Sequence, residues 1–143
     1  MTTVKDSIKI NAPVEKVFEY ASKPENLLEI WPSVVEVKNV KELPNGGHSW
    51  EWVYKMAGMR FNGTSVDTEH VVNERTVSIS TGGVESTITW MFEPEDDGTK
   101  MTTLTEYKIP VPLLGKLAEA FIVKVNENES NTILTNLKAR MEA

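Results

Sequence analysis

Glu129, Tyr54 and Tyr107 are the side chains of this chain whose types suit moving a proton or polarising a carbonyl. A carboxylate taken out of water has its pKa raised and becomes a general acid or base. A phenol beside it can donate a hydrogen bond to a carbonyl oxygen, as enolisation, cyclisation or dehydration requires. This is the chemistry that survives elimination. With no cysteine, the chain has no thiol nucleophile, disulfide or thiolate metal site. A nucleophilic triad needs an exposed hydroxyl beside an imidazole. His48 opens a strand just after a turn, and His70 lies late in another amid "DTEHVV"; both read as surface or strand-end residues outside any nucleophile motif. Asp67, Glu69 and His70 are near neighbours, but on a regular strand Asp67 and Glu69 share a face and His70 points away, so no metal site is expected. "EPEDDG" (Glu93 to Gly98) lacks the ordered spacing of a calcium loop, and "GMRFNG" lacks the Gly-rich entry to a helix that cradles phosphate. No cofactor is expected.

The elements that must position those groups follow from periodicity. "TVKDSIKI" alternates as a first strand. In "NAPVEKVFEYA", Asn11 is the expected N-cap, Pro13 suits the first turn, and Val14, Val17, Phe18 and Ala21 fall at helical spacing. "KPENLLEIWP" is a second short helix that starts at Pro24 and closes at Pro32, with Leu27, Leu28, Ile30 and Trp31 supplying its buried side. From Ser33 to Ile109 the period is two. Six strands are separated by the "PNGG" turn, "AGM", a turn at Asn73 and Glu74, Gly82–Gly83, and "EDDG". Links this short make the sheet antiparallel. A final helix spans Leu113 to Met141. Its stripe of Leu114, Leu117, Ala118, Phe121 and Val125 runs on into Asn128, Glu129 and Thr132 before Ile133 and Leu137 resume it. The expected order is β-α-α-β6-α, α+β in class, in one domain over 1–143.

The chain has 143 residues, 40% hydrophobic and 25% charged, enough for one domain with a sizeable core. A net charge of -6 with scattered Lys and Arg argues against nucleic acid as a partner. "MTTVKDSIKI" has no signal-peptide pattern and no stretch approaches the length of a membrane span, so neither secretion nor stable membrane insertion is expected. A cytoplasmic protein is the reading.

One strand raises the question of an interior. "HSWEWVYKM" puts His48, Trp50, Trp52, Tyr54 and Met56 on one face, and a one-residue slip would send the large rings to water. Ile88, Trp90 and Phe92 share that interior, with Val77 and Ile79 beside them, while Met101, Thr103, Thr105 and Tyr107 give the last strand a mixed apolar and hydroxyl face. Such residues can form a solid core or a cavity wall.

The element order, together with Ile10, Ala12, Pro13, Val17, Phe18, Asn26, Trp31 and Pro32 in "INAPVEKVFEYASKPENLLEIWPSV", resembles the START-related helix-grip superfamily. That superfamily includes the polyketide cyclase/dehydrase and lipid-transport proteins and the birch-pollen-allergen relatives. The resemblance covers essentially the whole chain. It implies a curved antiparallel sheet wrapped around the long C-terminal helix with an internal cavity, and it supplies no universal catalytic motif, because the scaffold hosts binders, carriers and enzymes.

Sites of this kind are mostly apolar with a few placed polar groups. The expected ligand-binding set is Trp50, Trp52, Met56, Trp90, Phe92, Phe121, Val125, Asn128 and Thr132, with "AGM" and "PVPLLG" at the mouth. Glu129 either projects into the cavity or lies at a solvated position where the stripe has drifted. The first functional reading is binding or carriage of a hydrophobic small molecule, lipid-, isoprenoid- or polyketide-like. A second is a cofactor-free polyketide cyclase or dehydratase using Glu129 with Tyr54 or Tyr107. A third is a protein-interaction module of the chaperone-ATPase-activator type, with no protein partner indicated.

Overall fold

A computed structural model describes residues 2–56, 58–82, 85–107 and 115–143, giving the backbone alone for residues 2, 56 and 115–123. Strand β1 (Thr2–Ile10) leads into helix α1 (Val14–Ala21), a 3₁₀ turn (Pro24–Asn26) and the one-turn helix α2 (Leu27–Ile30). Six strands follow: β2 (Val34–Glu42), β3 (His48–Met56), β4 (Met59–Val71), β5 (Arg75–Gly82), β6 (Ser86–Glu95) and β7 (Gly98–Tyr107). Helix α3 (Gly115–Met141) closes the order. The strands form one sheet, β1-β7-β6-β5-β4-β3-β2, antiparallel throughout. Because β1 pairs with β7, the two helices carry the chain from one edge of the sheet to the other. This is a helix-grip-like α+β fold. Among the described residues no helix is long and apolar enough to cross a membrane.

Helix α1 starts two residues later than expected. Pro13 occupies the cap, its carbonyl accepting from the amides of Lys16 and Val17, and Asn11 instead donates its amide to the Glu142 carboxylate at 2.9 Å. Proline suits this place because its missing N–H would have had no partner in the first turn.

The last half of α3 closes one end of the interior. Ile133, Leu134, Leu137 and Met141 pack with Ile10, Val17, Phe18, Ile30, Phe92 and Met101, all buried. The Phe18 and Phe92 rings meet edge to face at 5.1 Å. Around this core, Asn136 donates to the Ile30 carbonyl at 3.1 Å, Lys138 to the Lys9 carbonyl at 3.0 Å, and Arg140 pairs with Glu29 at 2.6 Å.

The cross-strand registers fix which side chains share the inner face, since directly opposed residues point the same way. Trp50, Ser65, Ser80, Ser86 and Tyr107 form one transverse row through successive pairings. Asp67, Ser78, Ile88 and Thr105 form the next, and His70, Thr76, Trp90 and Thr103 another. Two expectations change here. The inner face of β5 carries Thr76, Ser78 and Ser80, while Val77 and Ile79 point outward, Ile79 being 43% exposed. A register shift between Asp67 and Glu69 inserts Thr68 as an extra residue. Such a bulge reverses the alternation beyond it, so Asp67 and His70 share the inner face and Glu69 turns away, pairing with Arg75 at 2.6 Å.

Candidate functional site

Next to the packed end of the interior lies a cavity of about 120 Å³. Three sets of elements wall it. The α1–α2 segment supplies Ala21, Pro24, Leu27 and Trp31, strand β3 supplies Trp50, Trp52 and Tyr54, and β4 to β7 supply the floor. Trp90 and Ile88 stand on that floor beside Ser65, Asp67, Thr76, Ser78, Ser80, Ser86, Thr105 and Tyr107. Helix α3 contributes Asn126. The chain has four tryptophans, and all four line this one cavity.

The rings are held by specific partners. Trp52 lies across Gly63, where an added Cβ would sit 2.2 Å from Cζ2 of the indole and 2.4 Å from the Thr81 carbonyl oxygen. Its Nε1 donates to the Ser65 hydroxyl at 2.9 Å, and Ser65 and Ser80 share a hydrogen bond at 2.6 Å. Tyr54 stands edge-on to both Trp31 and Trp52, with centroids 6.0 and 6.5 Å away.

Two carboxylates belong to this interior. Glu129 accepts hydrogen bonds from the Ser33 hydroxyl and, at 2.5 Å, from the Tyr54 hydroxyl, tying α3 to β3 and the start of β2. It borders a separate void of about 10 Å³, which shares Trp31, Ile88, Trp90, Thr105 and Asn126 with the main cavity. A void that small has room for a single water at most. Burial first, and then the negative charge of Glu129 and its hydrogen bond, push the Tyr54 phenol far above its ordinary pKa of 10.0. Tyr54 is therefore a fixed hydrogen-bond donor and not a base.

Asp67 is the second, and it lines the main cavity. Its Oδ1 accepts from the Ser78 hydroxyl at 2.6 Å and its Oδ2 from the His48 amide at 2.8 Å. The "PNGG" turn is fitted to it. Asn45 donates to the Asp67 carbonyl at 2.9 Å, and a Cβ on Gly47 would lie 2.6 Å from that of Asp67. The His48 Nδ1 is 4.0 Å from Asp67 Oδ2. This arrangement is not a nucleophilic triad, because the carboxylate stands between the hydroxyl and the imidazole, and no imidazole is placed to take the Ser78 proton. Among the described residues no group of three His, Cys, Asp or Glu could hold a metal ion.

The structure distributes the expected site residues unevenly. Trp50, Trp52, Tyr54, Trp90 and Tyr107 line the cavity, and Glu129 borders the adjoining void. Phe92 does not line it. Two residues beyond Trp90 on the same face, it has passed into the packed end. Asn128 is exposed, and the Thr132 hydroxyl turns back to the Asn128 carbonyl at 2.9 Å. Val125 is half-buried and absent from the described lining. The helix phase differs from the expected one, bringing Asn126 and Ser130 inward in their place, beside the expected Glu129 and Ile133. The side chains of Met56 and Phe121 lie outside the described residues, as do Ala57 and most of "PVPLLG". The hydroxyls of Thr105 and Tyr107 were expected on this face, and those of β4 to β6, with Asp67, were not. The signal that finds them is the register counted across four hairpins from Trp50, corrected for the bulge.

Comparison with known proteins gives one family and one fold. The model of the family described as polyketide cyclase/dehydrase and lipid transport matches residues 1–142. No curated protein matches the sequence significantly. Among solved structures, the chain is similar to the protein TTHA0849 from Thermus thermophilus, with a TM-score of 0.80, 24% identity, and 98% of this chain and 97% of that one covered. It is similar to the Zhui aromatase/cyclase from a Streptomyces species, with a TM-score of 0.81, 17% identity, and 99% and 93% covered. It is also similar to a START superfamily protein from Mycobacterium smegmatis, with a TM-score of 0.79, 16% identity, and 98% and 97% covered. At these identities the likeness is one of fold.

Proposed function

The chain belongs to the polyketide cyclase/dehydrase and lipid-transport family, and from that premise we propose that it binds or carries a hydrophobic small molecule in the cavity described above. The observation that carries this reading is the gathering of all four tryptophans on one cavity. Each ring packs on one side, Trp50 and Trp90 within the hydrophobic cluster and Trp31 and Trp52 against it, and on the other side all four border open space. The volume suits a guest of about one aromatic ring or a short branched chain, since an apolar cavity of ~150 Å³ accepts benzene. Rings and hydroxyls lining one chamber favour a guest with an apolar body and a polar end.

The test is fluorescence. Because every indole lines the cavity, a one-ring aromatic compound should change the tryptophan emission saturably, with a single affinity. Emission that is indifferent to such compounds, or that responds linearly without saturation, would refute binding.

One observation favours a second reading, a cofactor-free cyclase or dehydratase. Tyr54 and Glu129 are joined at the cavity's edge, as a proton-transfer pair would need. Against it, both Glu129 oxygens already accept from protein donors, and Glu129 borders the small void and not the main chamber. Glu129→Gln separates the two: turnover lost with binding kept supports the enzyme, and unchanged turnover removes Glu129 from any mechanism.

A further inference from the structure

Resting on the ligand-binding reading, the walls of the cavity also carry a charge preference. The Asp67 side chain is 6% exposed and borders the chamber. Ser78 and the His48 amide, both neutral donors, hold its carboxylate in place. No Lys, Arg or His occurs among the described residues that line the chamber. The His48 imidazole stands 4.0 Å from Oδ2, outside hydrogen-bonding distance though within reach of an ion pair when the ring is protonated, and it lies outside the described lining. The other carboxylate of this interior, Glu129, borders the adjoining void. Around both are the rings of Trp31, Trp50, Trp52, Tyr54 and Trp90, whose faces are electron-rich and attract cations.

A charge on a side chain as buried as Asp67 is poorly screened. An anionic guest would meet one carboxylate directly and a second at close quarters, with no basic side chain in the described lining to balance them. A cationic guest would gain a charge-assisted hydrogen bond and several aromatic faces. The hydroxyls of Thr76 and Ser80, in the rows on either side of Ser78, supply further acceptors.

We propose that this cavity selects its guest by charge: it takes an amine-bearing aromatic cation, with the ammonium at Asp67 and the ring among the tryptophans, and rejects a carboxylate of the same size. The family likeness implies an oily guest without choosing a sign. Asp67 supplies the choice.

Three one-ring compounds of matched length test this: phenethylamine, 2-phenylethanol and phenylacetate, titrated at neutral pH and followed by tryptophan emission and by amide shifts of ¹⁵N-labelled protein. The amine should bind about tenfold or more tightly than the alcohol, and the carboxylate weakest of all. Asp67→Asn should abolish the amine's advantage over the alcohol. His48→Gln should leave the order intact. Equal binding of amine and carboxylate, equal binding of amine and alcohol, an amine preference that survives Asp67→Asn, or one lost in His48→Gln would each overturn the assignment. The wild-type ranking decides the matter even if Asp67→Asn does not fold. Failure of all three compounds to bind would instead overturn the cavity reading beneath the proposal, and the proposal with it.

Discussion

Removing one oxygen atom from Tyr54 probes the joint between helix and sheet. In Tyr54→Phe the ring keeps its contacts with Trp31 and Trp52, while Glu129 loses the donor at 2.5 Å and keeps Ser33. A hydrogen bond to a charged group contributes about 1.5–3 kcal/mol. Glu129 is half-buried and retains one partner, so a loss of about 1–2 kcal/mol at pH 8 is expected. The effect must also depend on pH. Folding raises the Tyr54 pKa above its unfolded value of 10.0. The folded state therefore holds the phenolic proton where the unfolded state releases it, and the associated stability is full below pH 10 and declines as pH rises from there toward the folded value. By pH 11 the wild type should have lost about 1.4 kcal/mol from this one group, and the variant nothing. Other titrating groups are common to both proteins and largely cancel in the difference. Urea unfolding at intervals from pH 8 to 11, comparing midpoints at constant slope, measures it. The gap should close near pH 11. A gap that stays constant over that range would show that the phenol titrates alike in both states, and the Tyr54–Glu129 contact would have to be abandoned.

Other substitutions test the division of the interior. Gly63→Ala places a methyl group against the Trp52 ring and the Thr81 carbonyl; it should cost about 1–3 kcal/mol in urea unfolding and alter tryptophan emission, because backbone on one side prevents simple relief. Phe92→Ala should cost about 3–5 kcal/mol, as expected of a ring in the packed end, while leaving guest affinity little changed. Asn128→Ala should change both stability and guest binding within measurement error, about 0.5 kcal/mol for the former.

The element order, the antiparallel sheet and the inward face of β3 were all legible in the sequence, because alternation over nine residues with four large apolar side chains admits one register. The polar half of the site was not, for three separate reasons. On β5, Val77 and Ile79 alternate with Thr76, Ser78 and Ser80, and the ordinary rule that apolar residues go inward chooses the wrong set. The rule fails there because the inner face borders a cavity instead of a core. On β4, the extra residue Thr68 changes parity in mid-strand, and nothing in "SVDTEHVV" marks it. On α3, an amphipathic stripe extrapolated from Leu114 accumulates phase error over several turns, so Asn128 and Thr132 were expected where Asn126 and Ser130 are found. Phe92 shows a fourth limit, since a shared face does not say how far along the strand a cavity extends.

The central claim is that an aromatic guest enters among Trp31, Trp50, Trp52 and Trp90. The four indole N–H signals of ¹⁵N-labelled protein, assigned by single substitutions and followed during titration with phenethylamine and 2-phenylethanol, test it most directly. All four should move along one saturable curve, with contacts from the guest ring to the indole protons. Indoles that stay still while surface amides shift would place the guest elsewhere and contradict the account.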